Sequence, residues 1–144
     1  MGKLLLYYSF SGNTSEFAVE LAEKNSFEIK EIKDATKRNA FWAFTVGCYN
    51  SLTQRVVDID LSNDLSEYHD FILCFPVWAG MPSPQFNSVL KKLPQESKIE
   101  IYLISDSGST KRKRRRIEDA IADCNMELVD YHDIKTPAKK NKKD

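Results

Sequence analysis

The chain has two histidines, three cysteines, five glycines and five prolines in 144 residues, and each shortage removes a class of answers. Cys48, Cys74 and Cys124 are odd in number, widely spaced and without a C-x-x-C pair. They are expected to be reduced thiols of a cytoplasmic protein, with Cys74 buried in a strand. No stretch approaches the roughly 20 apolar residues of a membrane helix. Met1-Gly2-Lys3 leads into only a short apolar run, so neither a signal peptide nor a membrane span is expected. G-x-S-x-G is missing, which disfavours a Ser-His-Asp hydrolase. Neither G-x-G-x-x-G nor G-x-x-x-x-G-K-[ST] occurs, so a Rossmann dinucleotide site and a P-loop lack support. His69 and His132 each sit in a Tyr-His-Asp triplet beside different strands, without a third ligand in sequence. A structural role is expected for both, and no metal site. Finally, no Lys or Arg lies between Ser9 and Thr14.

What is present is the material of one globular domain, long enough for a sizeable core. The formal charge is zero, but it is unevenly distributed. Lys111 to Arg116 are six consecutive basic residues, and Lys139, Lys140, Lys142 and Lys143 add four in the tail. Outside 111–116 and 136–144, eleven basic side chains face twenty acidic ones, a charge of −9. An acidic body with a basic loop and tail bears on partners rather than on fold.

In chain order, Lys3 to Tyr8 reads as a buried strand. Thr14, Phe17, Ala18, Leu21 and Ala22 then fall on one helical stripe, with Asn13 or Thr14 able to cap it. Glu28 to Ile32 alternates as an edge strand would. Thr36 to Leu52 reads as a helix broken near Gly47, and Ala40-Phe41-Trp42-Ala43-Phe44 is expected to enter the core. Phe71 to Phe75 has the continuous apolar run of a central strand. Pro76 to Pro84, with three prolines and a glycine, is expected to be a rigid loop without regular structure. Phe86, Val89, Leu90 and Leu93 give a short helix, and Ile99 to Ile104 the next strand. Ile117, Ala120, Ile121 and Cys124 mark another helix, expected to start near Arg115 or later because cations oppose the macrodipole at a helix start. Met126 to Tyr131 is the last strand. The domain is taken as 1–135, and the basic tail 136–144 is expected to be disordered.

Strands alternate with helices five times, which implies an α/β, three-layer, doubly wound five-stranded parallel sheet. Ser9–Thr14, Pro76–Pro84 and Ser105–Thr110 follow strands one, three and four, and these loops converge only in the order 2-1-3-4-5. The first has a special chemistry. A strand, a Gly12 turn and a helix start present unpaired N–H groups at the positive end of a macrodipole, a site for an anion. Without a nearby cation, a bound phosphate would be held by neutral donors alone.

Tyr8-Ser9-Phe10-Ser11-Gly12-Asn13-Thr14 resembles the phosphate loop of the flavodoxin family, for which the order 2-1-3-4-5 is the standard example. Pro76-Val77-Trp78-Ala79-Gly80 is similar to that family's second flavin loop, and Ser105-Asp106-Ser107-Gly108-Ser109 stands where its third would be. The resemblance covers Lys3 to about Ile134 and has the form of a short-chain member. It implies noncovalent FMN at the C-terminal ends of the strands. Ser9, Ser11, Gly12, Asn13 and Thr14 would take the phosphate, with Phe10 shielding it. Trp78, flanked by Pro76 and Val77, would stack on the flavin. The Ala79-Gly80 peptide would approach N5, and Asp106, Ser107 and Gly108 the pyrimidine edge. Trp42 or Tyr49 could cover the second face. The −9 body and Asp106 would push the flavin potential down.

The resemblance therefore implies an electron carrier with no catalytic side chain of its own. The alternatives are an NAD(P)H-dependent FMN or quinone reductase, and a flavodoxin-shaped interaction domain without flavin. The run 111–116 is read first as solvated loop, next as a dock for an acidic redox partner or an NADPH phosphate. Nucleic acid ranks below both, because no aromatic residues interleave the run.

Overall fold

Leu4, Leu5 and Leu6 put apolar side chains on both sides of the backbone, and only burial on both faces satisfies such a strand. They form β1 (Leu4–Tyr7). The computed structural model describes residues 3–35, 39, 42–61 and 65–136. Around β1 lie parallel strands β2 (Glu28–Glu31), β5 (Asp70–Trp78), β7 (Lys98–Ser105) and β8 (Glu127–Lys135). Their spatial order is β2-β1-β5-β7-β8, the expected 2-1-3-4-5. β3 (Lys33–Asp34) and β4 (Ile59–Asp60) make a small separate antiparallel pair.

The two-residue period divides the strand side chains between two cores. Leu4, Leu6, Phe71, Leu73, Phe75, Ile99, Ile101 and Leu103 form the larger one. It is covered by Phe86, Val89 and Leu90 of α3 (Pro84–Lys92) and by Ile117 and Ile121 of α4 (Arg114–Asp123). Leu5, Ile72, Cys74 and Ile104 face the other way, against Ala18 and Ala22 of α1 (Asn13–Asn25). Helix, sheet and helix thus make three layers. Cys74 is fully buried as expected, and burial pushes its thiol up.

Three expectations need correction. Pro76–Pro84 is not an irregular loop: β5 continues through Pro76 to Trp78 and turns back into β6 (Met81–Pro82). β1 ends at Tyr7, and Tyr8 N–H makes the last bond on that side, to Cys74 O. Two residues on, Pro76 points the same way, where no strand needs its missing N–H, and its carbonyl accepts from Ser83 N–H at 2.9 Å. Ala79 and Gly80 form the turn, both with positive φ (55° and 83°), as a tight two-residue hairpin requires. Second, α4 starts at Arg114 and is preceded by a 3₁₀ turn at Lys111–Lys113. Arg114 tolerates that place because Glu118 takes its Nε at 2.9 Å and the Tyr131 ring lies 4.1 Å beneath its guanidinium. Third, β8 runs on to Lys135, because its half-exposed residues pair with β7 as far as Ser105.

The 34–66 stretch contains a π-helical turn (Ala43–Gly47) leading into α2 (Cys48–Leu52). The expected break near Gly47 is therefore a change of helical pitch. Ala40 and Phe41, the start of the expected helix and residues 137–144 of the tail lie outside the described residues. No described helix is long and apolar enough to cross a membrane.

Candidate functional site at the C-terminal edge of the sheet

Gly12 carries φ 104° and ends the first loop; a Cβ there would meet nothing within 4 Å, so the turn faces open space. Its N–H donates to Ser9 Oγ at 3.0 Å, and its carbonyl accepts the first helical bond of α1, from Glu16 N–H at 3.1 Å. No side chain caps α1. The expectation that Asn13 or Thr14 would cap it is therefore not met, and the macrodipole's positive end is left to whatever lies outside the chain. Ser11 is exposed, Asn13 half-buried and Thr14 buried.

Phe10 joins this loop to the hairpin: its ring meets Trp78 edge-on, with centroids 5.8 Å apart. Tyr8 and Trp42 also contact Trp78 in T-shaped geometry, at 6.3 and 5.9 Å. Three rings thus fix the plane of a half-buried tryptophan. The π-helical turn adds its backbone, since a Cβ on Gly47 would stand 2.7 Å from Trp78 Cζ3. Tyr49, the other aromatic considered, is 55% exposed and lies under the Arg55 guanidinium at 5.6 Å. Next to Trp78, Ala79 is exposed and Gly80 half-buried.

The third loop is bound mainly to itself and to β8. Ser105 Oγ accepts from Gly108 N–H at 2.9 Å, and Ser107 Oγ donates to Ser109 O at 3.2 Å. Gly108 (φ 73°) crosses so near β8 that a Cβ would come 2.9 Å from Lys135 Cβ. Thr110 closes the loop: its N–H and hydroxyl donate to Asp133 at 3.1 and 2.7 Å, and its hydroxyl also meets the Tyr131 hydroxyl. Burial pushes the Tyr131 phenol up, keeping it a donor. Asp106 is exposed at the tip. The first two expected loops are thus brought into contact through Phe10 and Trp78, and the third sits on the same edge, tied to its neighbour strand.

The basic run is only in part a solvated loop. Arg116 donates to Leu52 O at 2.5 Å and to Gln54 Oε1 at 3.3 Å, tying α4 to the end of α2. Lys113 lays its stem beside the hairpin tip, with Cγ 3.5 Å from the position of a Gly80 Cβ. Lys111, Arg112 and Arg115 are exposed.

Two elements of this site carry weak sequence signals. Asp34 accepts from Tyr8 OH at 2.6 Å and from Gln85 Nε2 at 2.8 Å, joining the residue after β1 to β3 and α3. Gly47, read as a helix break, is a lone glycine in a helical stretch, a signal that could have found the close packing on Trp78.

No family model matches the chain. An uncharacterised protein of Archaeoglobus fulgidus is 24% identical over 129 residues, covering 88% of this chain and 81% of that protein. Among solved structures, a flavoprotein from Lactobacillus acidophilus NCFM in complex with FMN superposes with TM-score 0.74 at 19% identity, covering 90% of this chain and 91% of that one. For a putative flavoprotein from Bacteroides eggerthii the TM-score is 0.79 at 12% identity, with coverage of 91% and 86%. For two-electron reduced Megasphaera elsdenii flavodoxin it is 0.57 at 12% identity, with coverage of 95% and 88%. Strand order, layers and superposition agree: this chain has the flavodoxin-like fold.

Proposed function

We propose that the chain binds FMN noncovalently at this edge and passes electrons between protein partners. The observation that carries the reading is the uncapped start of α1, open above Gly12 and joined through Phe10 to a tryptophan held in one plane. The residues present fit the group. The phosphate would rest on the N–H groups of the first turn with Ser9, Ser11 and Asn13 around it, an arrangement that needs no cation. Trp78 offers the aromatic surface for the ring, and the Ala79–Gly80 turn places a peptide with little side chain beside it. Asp106, Ser107 and Gly108 would meet the ring's polar edge. Bound FMN would supply the redox chemistry, while the chain sets its surroundings. The FMN complex of the Lactobacillus acidophilus flavoprotein supports the choice of cofactor.

A partner would meet the flavin edge beside Lys113, with Lys111, Arg112 and Arg115 exposed around it, a surface suited to an acidic protein. Titration with FMN and with riboflavin tests the cradle. FMN should bind at least about tenfold more tightly, since riboflavin leaves the helix start without an anion. Equal affinities would remove the phosphate site. A protein that takes up neither would be an interaction domain on this fold. Loss of flavin colour on mixing with NADPH alone would mark a reductase instead of a carrier.

A further inference from the structure

About 15 Å below that edge, along β7, Glu100, Asp130 and His132 gather on one face of the sheet. They arise from two strands and a local irregularity. β7 and β8 pair as Lys98↔Glu127 and Ile99↔Leu128, then skip a residue, so Glu100 pairs with Asp130 and Tyr102 with His132. Paired residues share a face. A ladder without the skip would pair Asp130 with Ile101 and turn it toward the larger core. The bulge therefore brings two carboxylates to the same face, where like charges oppose pairing.

The other groups facing them compensate only in part. Lys3 Nζ lies 3.6 Å from Glu100 Oε1. The Tyr102 hydroxyl donates to Glu100 Oε2 at 3.0 Å, and the His132 ring stacks flat on the Tyr102 ring at 4.3 Å. His132 Nε2 is shielded from solvent and has no hydrogen-bond partner. It stands 3.5 Å from Glu100 Oε2 and 3.6 Å from Asp130 Oδ2.

We propose that Glu100 Oε2, Asp130 Oδ2 and His132 Nε2 bind a divalent transition cation of the zinc class. Ligand atoms on a tetrahedral ion with bonds of about 2.0–2.1 Å stand about 3.4 Å apart. Those two separations nearly match that edge, and all three atoms lie within 4.8 Å of one another. One imidazole with two carboxylates suits zinc better than calcium or magnesium, which take oxygen ligands. Tyr102 orients the Glu100 carboxylate and, by stacking, the imidazole, as outer partners of metal sites do. Exposed Asp130 gives the ion its way in, with a fourth position for water. The ion ties β7 to β8 across the bulge and removes the carboxylate repulsion, independently of flavin.

Zinc affinity of the full chain, measured by competition with a chromophoric chelator, tests this. One Zn²⁺ per chain is expected, raising the thermal midpoint. His132→Gln and Asp130→Asn should each weaken binding at least about tenfold. Without metal, Asp130→Asn should be slightly more stable than the native chain, and added zinc should reverse that order. Co²⁺ in place of zinc should show no thiolate charge-transfer absorption. A midpoint indifferent to zinc would reduce the cluster to a side-chain contact between His132 and two carboxylates and overturn the proposal. So would zinc affinity unchanged in both variants, or a cobalt spectrum with sulfur ligands. Two variants on different residues keep the test usable if one folds poorly.

Discussion

Gly47→Ala separates two descriptions of the 42–52 segment by the sign of its effect. In a helix that touches nothing, replacing glycine by alanine stabilises by about 1 kcal/mol. Gly47 has ordinary right-handed helical angles, so the backbone itself does not resist the change. Its neighbours do. The new Cβ would lie 2.7 Å from Trp78 Cζ3, 3.0 Å from Cε3 and 3.1 Å from Trp42 Cζ3. Carbon contacts are most favourable at about 3.5–4.0 Å, so the indole must give way by most of an ångström. Phe10, Tyr8 and Trp42 all pack against that indole and resist its movement. Overpacking of this kind costs about 1–3 kcal/mol, which leaves a net loss of about 1 kcal/mol after the helical gain. For a chain of this size that lowers the thermal midpoint by about 3 °C. Circular dichroism melts and tryptophan emission measure it, with a spectral shift expected as Trp78 moves. A variant about 1 kcal/mol more stable, with unchanged emission, would refute the seating of this turn on Trp78.

Trp78→Ala should weaken FMN binding at least about tenfold, given the dispersion and water exclusion of an indole face; unchanged affinity would mean that the indole does not touch the ring. Neutralising Lys111, Arg112 and Arg115 while keeping Arg114 and Arg116, which hold Glu118 and Leu52, should slow reaction with an acidic partner at low salt and matter little at high salt. Stopped-flow rates equally affected at both salts would rule out electrostatic docking. Thr110→Val removes a buried hydroxyl that Asp133 and Tyr131 share. It should cost about 1–3 kcal/mol in urea unfolding; a loss below about 0.5 kcal/mol, the ordinary effect of a surface substitution, would mean the third loop is not held there.

The parts of the fold legible in the sequence are those where one physical demand dominates. Leu4 to Leu6, Phe71 to Phe75 and Ile99 to Ile104 must be buried on both faces, and that fixed the central strands before any contact was known. The order of strands was read from three segments that need a common edge, with the flavodoxin family as the example of that order. Where two demands compete, the pattern misleads. Prolines at 76, 82 and 84 argue against regular structure. Yet Pro76 sits where β1 has ended, and Pro84 opens α3, where its missing N–H matters least. Glu100, Asp130 and His132 are scattered in sequence, and only the bulge beside Val129 assembles them. In the candidate site the loops were readable, but the rings that fix Trp78 were not: Trp42 comes from a segment without a clear period, and its contact depends on Gly47 lacking a side chain.

For FMN bound at the proposed site the acidic body suggests a lowered potential, but distance decides which charges count. At physiological salt, exposed charges more than about 8 Å apart are largely screened, so a formal −9 spread over the whole surface reaches the ring only weakly. The nearest charge-bearing side chain at the hairpin tip is Lys113, with Cγ and Cε 3.5 and 3.8 Å from the position of a Gly80 Cβ. At about 4 Å from a ring bound beside the Gly80 turn, the Lys113 ammonium would contribute about 1 kcal/mol even at the dielectric constant of water. On a two-electron couple that corresponds to about 20 mV. Its sign opposes that of the body and of Asp106 at the third loop's tip, since a cation beside the ring favours the added negative charge of reduction. Lys113→Gln should therefore lower the two-electron midpoint by about 20 mV, measured against a dye of known potential at low and physiological salt. Charge reversal of distant acidic residues should move it less. If Lys113→Gln raises the midpoint, or a remote reversal moves it more, the potential is governed by the whole surface and not by the hairpin tip.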